Sequence, residues 1–322
     1  MEYRKLGRTG IDVSGIGYGA WGIGQKQWLG GTDHEALTGI RRALKLGLNF
    51  IDTALAYGDG HSERLIGKVL SDHAHKVFIA SKVPPKNLIW PARDGVGIDD
   101  VFPGDHITGC TETTLKNLGL PYLDLQQFHV WNPDWLGRDE WKRSIEDLKK
   151  SGKVHYFGVS INDHQPDSAI ALIESGLVDT VQVIYNIFDQ TPEKNLFPAA
   201  LKHNVGVIAR VPLDEGSLTG TVGPDTKFPP GDFRENYFRG DRKIEVREHV
   251  SALLGDLQMA ASDLPQVALR FCLSHPAVST VIPGMRSLRS VEANCRFSNL
   301  GRLPDNTLAL LRRHAWNRNY YL

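Results

Sequence analysis

Four residues with proton chemistry follow three successive apolar runs. Asp52 and Tyr57 lie in NFIDTALAYG, Lys82 in KVFIASKV and His129 in LDLQQFHV. A phenol has a reference pKa of about 10, so it exchanges protons poorly near neutrality unless its surroundings help. A nearby ammonium favours the phenolate, and a nearby imidazole can relay or share the proton. Asp52 could hold Lys82 by a charge-assisted hydrogen bond and keep it ionised. The set describes a tyrosine that protonates a carbonyl oxygen while another species delivers a hydride.

Taken singly, each residue has an ordinary reading. An acid at a strand end caps a loop, a loop tyrosine packs, a lysine is solvated and a histidine is held by hydrogen bonds. What sets them apart is their place after strands two, three and four of one alternating series. Ile16–Ala20, Asn49–Asp52, Val77–Lys82, Leu123–His129, Val154–Ser160, Thr180–Tyr185, Val205–Ala209 and Val278–Ile282 read as strands. Helical spacing follows each in turn: Asp33–Leu46, Ser62–Leu70, His106–Leu118, Arg138–Lys150, Pro166–Glu174, Glu193–Lys202, Leu264–His275 and Ser287–Cys295. Ser62 reads as an N-cap and Gly47 as a C-cap. Eight βα units imply parallel strands with right-handed crossovers, closed into a (β/α)8 TIM barrel. An N-terminal β-hairpin turning at Arg8-Thr9-Gly10 precedes it, and Leu303–Trp316 adds a C-terminal helix. No composition break divides the chain, so residues 1–322 read as one α/β domain.

Three connections are long: Pro84–Gly104, Trp131–Gly137 and Leu213–Lys243. All follow strands, so they belong at the carboxyl end of the barrel, where such folds keep their active sites. Lys plus Arg and Asp plus Glu both number 37. No basic excess points to nucleic acid or a membrane surface. Three widely spaced cysteines, Cys110, Cys272 and Cys295, suit a reducing, cytoplasmic compartment better than a disulfide framework. There is no signal-like N-terminus and no apolar run of membrane length. His73-Ala-His75 has no third ligand nearby, so no metal is expected.

The stretch FIDTALAYGDGHSERLIGKVL, with SKV, QFHV, GVSIN, ARVPLDEGSLTG and VIPGMRSLRSVEANC, resembles the aldo-keto reductase superfamily. The resemblance runs from GIGYGAWGIG to the final helix. It implies a (β/α)8 barrel and NAD(P)H-dependent reduction of carbonyls. By that match Tyr57 is the general acid, Lys82 and His129 tune it, and Asp52 anchors Lys82.

The same match implies a dinucleotide held without a Rossmann domain. Ser160, Asn162 and Gln182 would meet the nicotinamide carboxamide, with Gly19, Trp21 and Asp52 nearby. Ile161 separates a serine and an asparagine that similar proteins often keep adjacent, and Arg210 stands where many carry an aromatic residue against the ring. A guanidinium can stack on a ring or meet a phosphate. Pro212, Leu213, Gly216, Ser217 and Leu218 would line the pyrophosphate, the last three through backbone N–H groups. Ile282, Gly284, Arg286, Ser290 and Asn294 would hold the adenosine half at a helix N-terminus. Arg286 matches a position that meets a 2′-phosphate, which favours NADP(H) over NAD(H), although Gly284 replaces a frequent lysine.

Trp21, Tyr57, His129 and Trp131 would wall a small-molecule carbonyl or alcohol substrate; aromatic walls suit flat or apolar groups or a sugar face. Two other readings stay open: an NAD(P)-dependent sugar or cyclic-alcohol dehydrogenase working mainly as an oxidiser, and a cofactor-binding sensor subunit with little turnover. The chain is expected to be a monomer or a weak homo-oligomer.

Overall fold

In a computed structural model that describes residues 1–73 and 76–322, eight parallel strands close on themselves. An antiparallel hairpin, β1 (Tyr3–Lys5) and β2 (Asp12–Ser14), comes first. The barrel strands are β3 (Tyr18–Gly19), β4 (Phe50–Asp52), β5 (Phe78–Val83), β6 (Leu123–Phe128), β7 (Val154–Ser160), β8 (Thr180–Ile184), β9 (Gly206–Arg210) and β10 (Val278–Val281). They pair in chain order, and bridges Ile16–Val281 and Gly19–Gly284 join the last to the first.

Alternation fixes what points inward. Phe50, Phe78, Ala80, Leu125, Ile208 and Ile282 form the inner core, sealed from below by Leu6 and Val13 of the hairpin. Gly7 makes that seal close: its φ is +49°, and a Cβ there would lie 2.2 Å from the Gly206 nitrogen. A larger apolar cluster fills the space between the strands and the helices. Each fully buried large apolar side chain contributes roughly 1.5–3 kcal/mol.

The helices are α1 (Asp33–Lys45), α2 (His61–Leu70), α3 (Ile98–Val101), α4 (Gly104–Leu118), α5 (Glu140–Lys150), α6 (Ile170–Glu174), α7 (Leu196–Lys202), α8 (Phe233–Tyr237), α9 (Arg242–Leu257), α10 (Leu264–Ser274), α11 (Leu288–Phe297) and α12 (Asp305–Arg312). All eight strand regions and their helices lie where the sequence places them, with ends shifted by a few residues. Three differences have physical causes. Helix α2 starts at His61 after left-handed Gly60. Ser62 is therefore inside it, and its hydroxyl donates to the Ala20 carbonyl (3.1 Å) instead of capping. Helix α9 was not foreseen, because it buries only Val246, Val250 and Leu253 and shows no strong apolar stripe. The final helix ends at Arg312, and the chain then runs as a tail back to the barrel mouth. The expected His73-Ala-His75 feature includes residues outside those described.

Candidate active site

The period that sends Phe50, Ala80 and Leu125 inward also sends Asp52, Lys82, Gln127 and His129 inward, at higher levels. Lys82 is 0% exposed. Its ammonium donates to Asp52 Oδ1 (2.6 Å), the Thr53 carbonyl (2.8 Å) and Tyr57 Oη (3.2 Å). The other Asp52 oxygen accepts from Gln182 Nε2 (2.7 Å) and Gln127 Nε2 (3.3 Å). The His129 ring meets the Tyr57 ring edge-on at 5.7 Å. All four sequence-predicted groups thus gather at one place.

Their electrostatics follow from burial and from one another. Burial pushes the Tyr57 phenol above its usual range, against the pull of Lys82, so it stays protonated at neutral pH. Burial opposes the charge on Lys82, but the Asp52 carboxylate and Tyr57 outweigh it, and its pKa lies above the ordinary value. Burial, then the Lys82 and Arg210 cations, hold His129 well below the usual histidine range, so the imidazole is neutral. Its Nδ1 is buried without a partner. Since Lys82 donates into the phenol oxygen, the phenol hydrogen is left for a ligand. The arrangement can donate a proton to an oxygen in the cavity and stabilise the phenolate left behind.

The cavity above the set holds about 1720 Å³. That exceeds the roughly 300–1,000 Å³ of an ordinary ligand pocket, leaving room for a dinucleotide and a second molecule. Gly19, Trp21, Asp52, Ser160, Asn162, Gln182, Arg210, Pro212, Leu213, Gly216, Ile282, Gly284, Arg286, Ser290 and Asn294 all line it, as do Tyr57 and His129. Gly19 is required by close approach: a Cβ there would lie 2.5 Å from the Ile282 carbonyl. Several of these side chains are already engaged. Asn162 bonds the Ala92 backbone, both as acceptor from its N–H and as donor to its carbonyl, at 3.3 Å. Arg210 is held by Asp163 (2.6 Å) and the Ile161 carbonyl (3.0 Å), with its Nε buried and unpartnered. Ser287 and Ser290 cap α11 reciprocally, and Arg286 donates to the Leu29 carbonyl (2.7 Å).

Three expectations are corrected. Trp131 does not wall the cavity. Strand β6 ends at Phe128, the chain leaves the pleat, and Trp131 turns into the core against Trp135 and Trp141, its indole donating to the Ser168 carbonyl (3.2 Å). Ser217 and Leu218 are 0% exposed and lie off the cavity wall. The segment Asp214–Thr219 coils into 3-10 turns, and the Gly216 and Leu218 N–H groups both donate to the Leu213 carbonyl (3.0 and 3.1 Å), so neither is free for a phosphate.

Sequence reasoning missed other wall residues. Trp90 packs edge-on against His129 at 5.7 Å. Trp28 lies under the Arg234 and Arg286 guanidiniums, 4.4 and 5.4 Å from its ring centre. Glu215 and Tyr321 also line the cavity. All four come from aperiodic loops or the tail, so no spacing signal announced them.

Among the described residues, no group of three or more His, Cys, Asp or Glu could hold a metal. No described helix is long and apolar enough to cross a membrane.

Comparison with known proteins places this geometry. The model of the aldo/keto reductase family matches residues 15–315. The aldo-keto reductase YhdN of Bacillus subtilis is 30% identical over 305 residues, covering 91% of this chain and 87% of that protein. The NADH-specific methylglyoxal reductase of Escherichia coli is 26% identical, with 98% of each chain covered. The solved glycerol dehydrogenase AKR11B4 from Gluconobacter oxydans superimposes with a TM-score of 0.77 at 28% identity, covering 98% of this chain and 97% of that one.

Proposed function

The chain belongs to the aldo/keto reductase family, whose members are NAD(P)H-dependent oxidoreductases, and on that premise we propose that it reduces aldehyde or ketone carbonyls to alcohols, with NADPH as reductant and Tyr57 as general acid. One observation carries the reading: Lys82 bonds both Asp52 and Tyr57 at the cavity floor beside a neutral His129. The nicotinamide cofactor, when bound, supplies the hydride.

The cavity fits such a group in size and in unsatisfied polar atoms, among them the Nδ1 of His129 and the Nε of Arg210. In this reading Ser160, Asn162, Gln182 and Arg210 serve the ring end. Pro212 and Leu213 serve the middle, with Gly216 contributing wall and no donor, and Arg286, Ser290 and Asn294 serve the adenosine end. Tyr57 donates its proton to the substrate oxygen. Lys82, held charged by Asp52, stabilises the phenolate as it forms. His129 keeps that oxygen in place without competing for the proton. Trp21 and Trp90 exclude water from the reacting face.

A preference for NADPH rests on Arg286, which a 2′-phosphate would pair with. The protonated phenol favours the reducing direction over alcohol oxidation, which needs a base. We further read residues 1–322 as one domain acting on a small molecule, alone or weakly self-associated. Three free cysteines fit a reducing, cytoplasmic compartment.

Tyr57→Phe tests the mechanism. NADPH consumption with a panel of aldehydes, ketones and quinones should fall by at least about 100-fold, the lower end of the range for general-acid loss. Cofactor affinity should hold within twofold. Full activity in the variant would assign the proton to another donor. Tight cofactor binding by the unaltered chain without turnover across the panel would favour a sensor.

A further inference from the structure

One buried acid in the cavity wall has no task in this mechanism. Glu215 lines the cavity and is 7% exposed. It belongs to a strained segment: Val211, Asp214 and Glu215 have φ of +54°, +51° and +53°. Side-chain-bearing residues rarely adopt that conformation, β-branched valine least of all. Such strain persists where the surroundings hold it, and it clusters at functional sites.

Here the chain's last residues hold it. Arg318 pairs with Asp214, and the Tyr321 hydroxyl donates to Glu215 Oε1 (2.7 Å). Tyr321 also lines the cavity. The tail therefore keeps the Glu215 carboxyl at the wall. Charges from every side bear on it. Arg210, at the end of β9, is a cation already paired with Asp163 from the loop after β7. Asp214 on its own segment is answered by Arg318. Tyr237 of α8 and Tyr321 are phenols that burial pushes far up, so both stay neutral. Burial pushes the Glu215 carboxyl up to about 7, against the Tyr321 hydrogen bond and Arg210, so it is poised to change charge near neutrality.

A dinucleotide that presents its ring to Tyr57 and its adenosine end to Arg286 and Asn294 has to cross this segment. Its diphosphate is anionic, and a like charge beside a carboxylate favours the neutral acid. We propose that Glu215 is a proton-linked part of the cofactor site: the dinucleotide binds with this carboxyl neutral, binding takes up a proton, and Tyr321 sets the pH at which that happens. The inference rests on the dinucleotide reading above.

The sign follows by linkage. Below the pH at which Glu215 ionises in the free chain, the acid is already neutral and affinity is flat. Above it, each pH unit weakens binding by up to about tenfold. The experiment is a fluorescence titration of the full chain with NADH and NADPH from pH 5.5 to 8.5. Calorimetry in two buffers of different ionisation heat counts protons. NADH is the primary probe, because a phosphate monoester titrates near pH 6 on its own.

Between pH 6.5 and 8.5 affinity should fall about 10- to 30-fold, with uptake approaching one proton. Glu215→Gln should bind with less than threefold change across the range, and more tightly than the unaltered chain at pH 8.5. Tyr321→Phe removes a bond that favours the carboxylate, so the fall should move to higher pH, a shift that a purely structural role would not produce. A flat profile with no proton uptake in the unaltered chain overturns the proposal while leaving the dinucleotide reading intact. So does an identical fall in Glu215→Gln. An unmoved midpoint in Tyr321→Phe removes the tail from it. Failure of both nucleotides to bind at every pH overturns the dinucleotide reading itself.

Discussion

Replacing Asp52 by Asn would leave the Lys82 ammonium, 0% exposed, without its counterion. The Thr53 carbonyl and the Tyr57 oxygen would remain as neutral acceptors. Breaking a buried pair by removing one partner costs about 3–5 kcal/mol. Whole-protein stability is of order 5–15 kcal/mol, so the loss is a large share of it. Lys82→Met leaves the opposite orphan, but Gln182 and Gln127 still donate to Asp52, and about 1–3 kcal/mol is expected. The double variant removes both charges. It should be more stable than the sum of the single losses predicts, by about 2–4 kcal/mol. Urea unfolding of the four proteins, without nucleotide and at matched m, supplies the cycle. A loss under about 1 kcal/mol for Asp52→Asn, or plain additivity, would mean that the pair is hydrated or rearranged and that Lys82 is not held charged by Asp52.

Other outcomes follow from the same geometry. Trp90 is 42% exposed and Trp131 0%, so Trp90→Ala should raise KM for flat aromatic carbonyls about 2- to 12-fold. Trp131→Ala should instead cost about 3–5 kcal/mol of stability and leave KM alone; steady-state kinetics and urea melts separate the two. Arg286→Ala should weaken NADPH about 10- to 100-fold with NADH unchanged, read by equilibrium titration. Gly22→Ala should act the same way more weakly, because its Cβ would lie 2.7 Å from Arg286 Cδ and push the guanidinium aside. His129, held neutral in the fold, is protonated first in the unfolded chain as pH falls. The unfolded state then holds more protons below about pH 6.5, so stability rises with pH up to there and is flat above. Relative to His129→Asn, in which carboxylate titrations cancel, the urea midpoint should drop further between pH 7 and 5. An equal drop in both proteins would show that the imidazole is not shielded.

The reacting layer was legible because strand parity carries upward from the core. Phe50 points inward, so Asp52 does; Ala80 points inward, so Lys82 does; Leu125 points inward, so Gln127 and His129 do. Parity holds only while the pleat lasts. His129 and Trp131 are two residues apart and would share a direction on a strand, but β6 ends at Phe128. One residue past that end His129 still reaches the cavity, and three past it Trp131 has turned into the core. The loop after β9 fails for a different reason: its left-handed Asp214 and Glu215 carry side chains held by Arg318 and Tyr321, about a hundred positions away, and no local pattern encodes those contacts. Helix α9 was missed because a helix with three buried residues hardly differs in pattern from a polar loop. Gln127 marks the remaining limit. Parity places it in the same layer as Lys82, yet its amide donates to Asp52 and accepts from Gln182, holding the site's acid rather than reacting. Position in a barrel can be read from period two, whereas role depends on which neighbouring donors and charges remain unsatisfied.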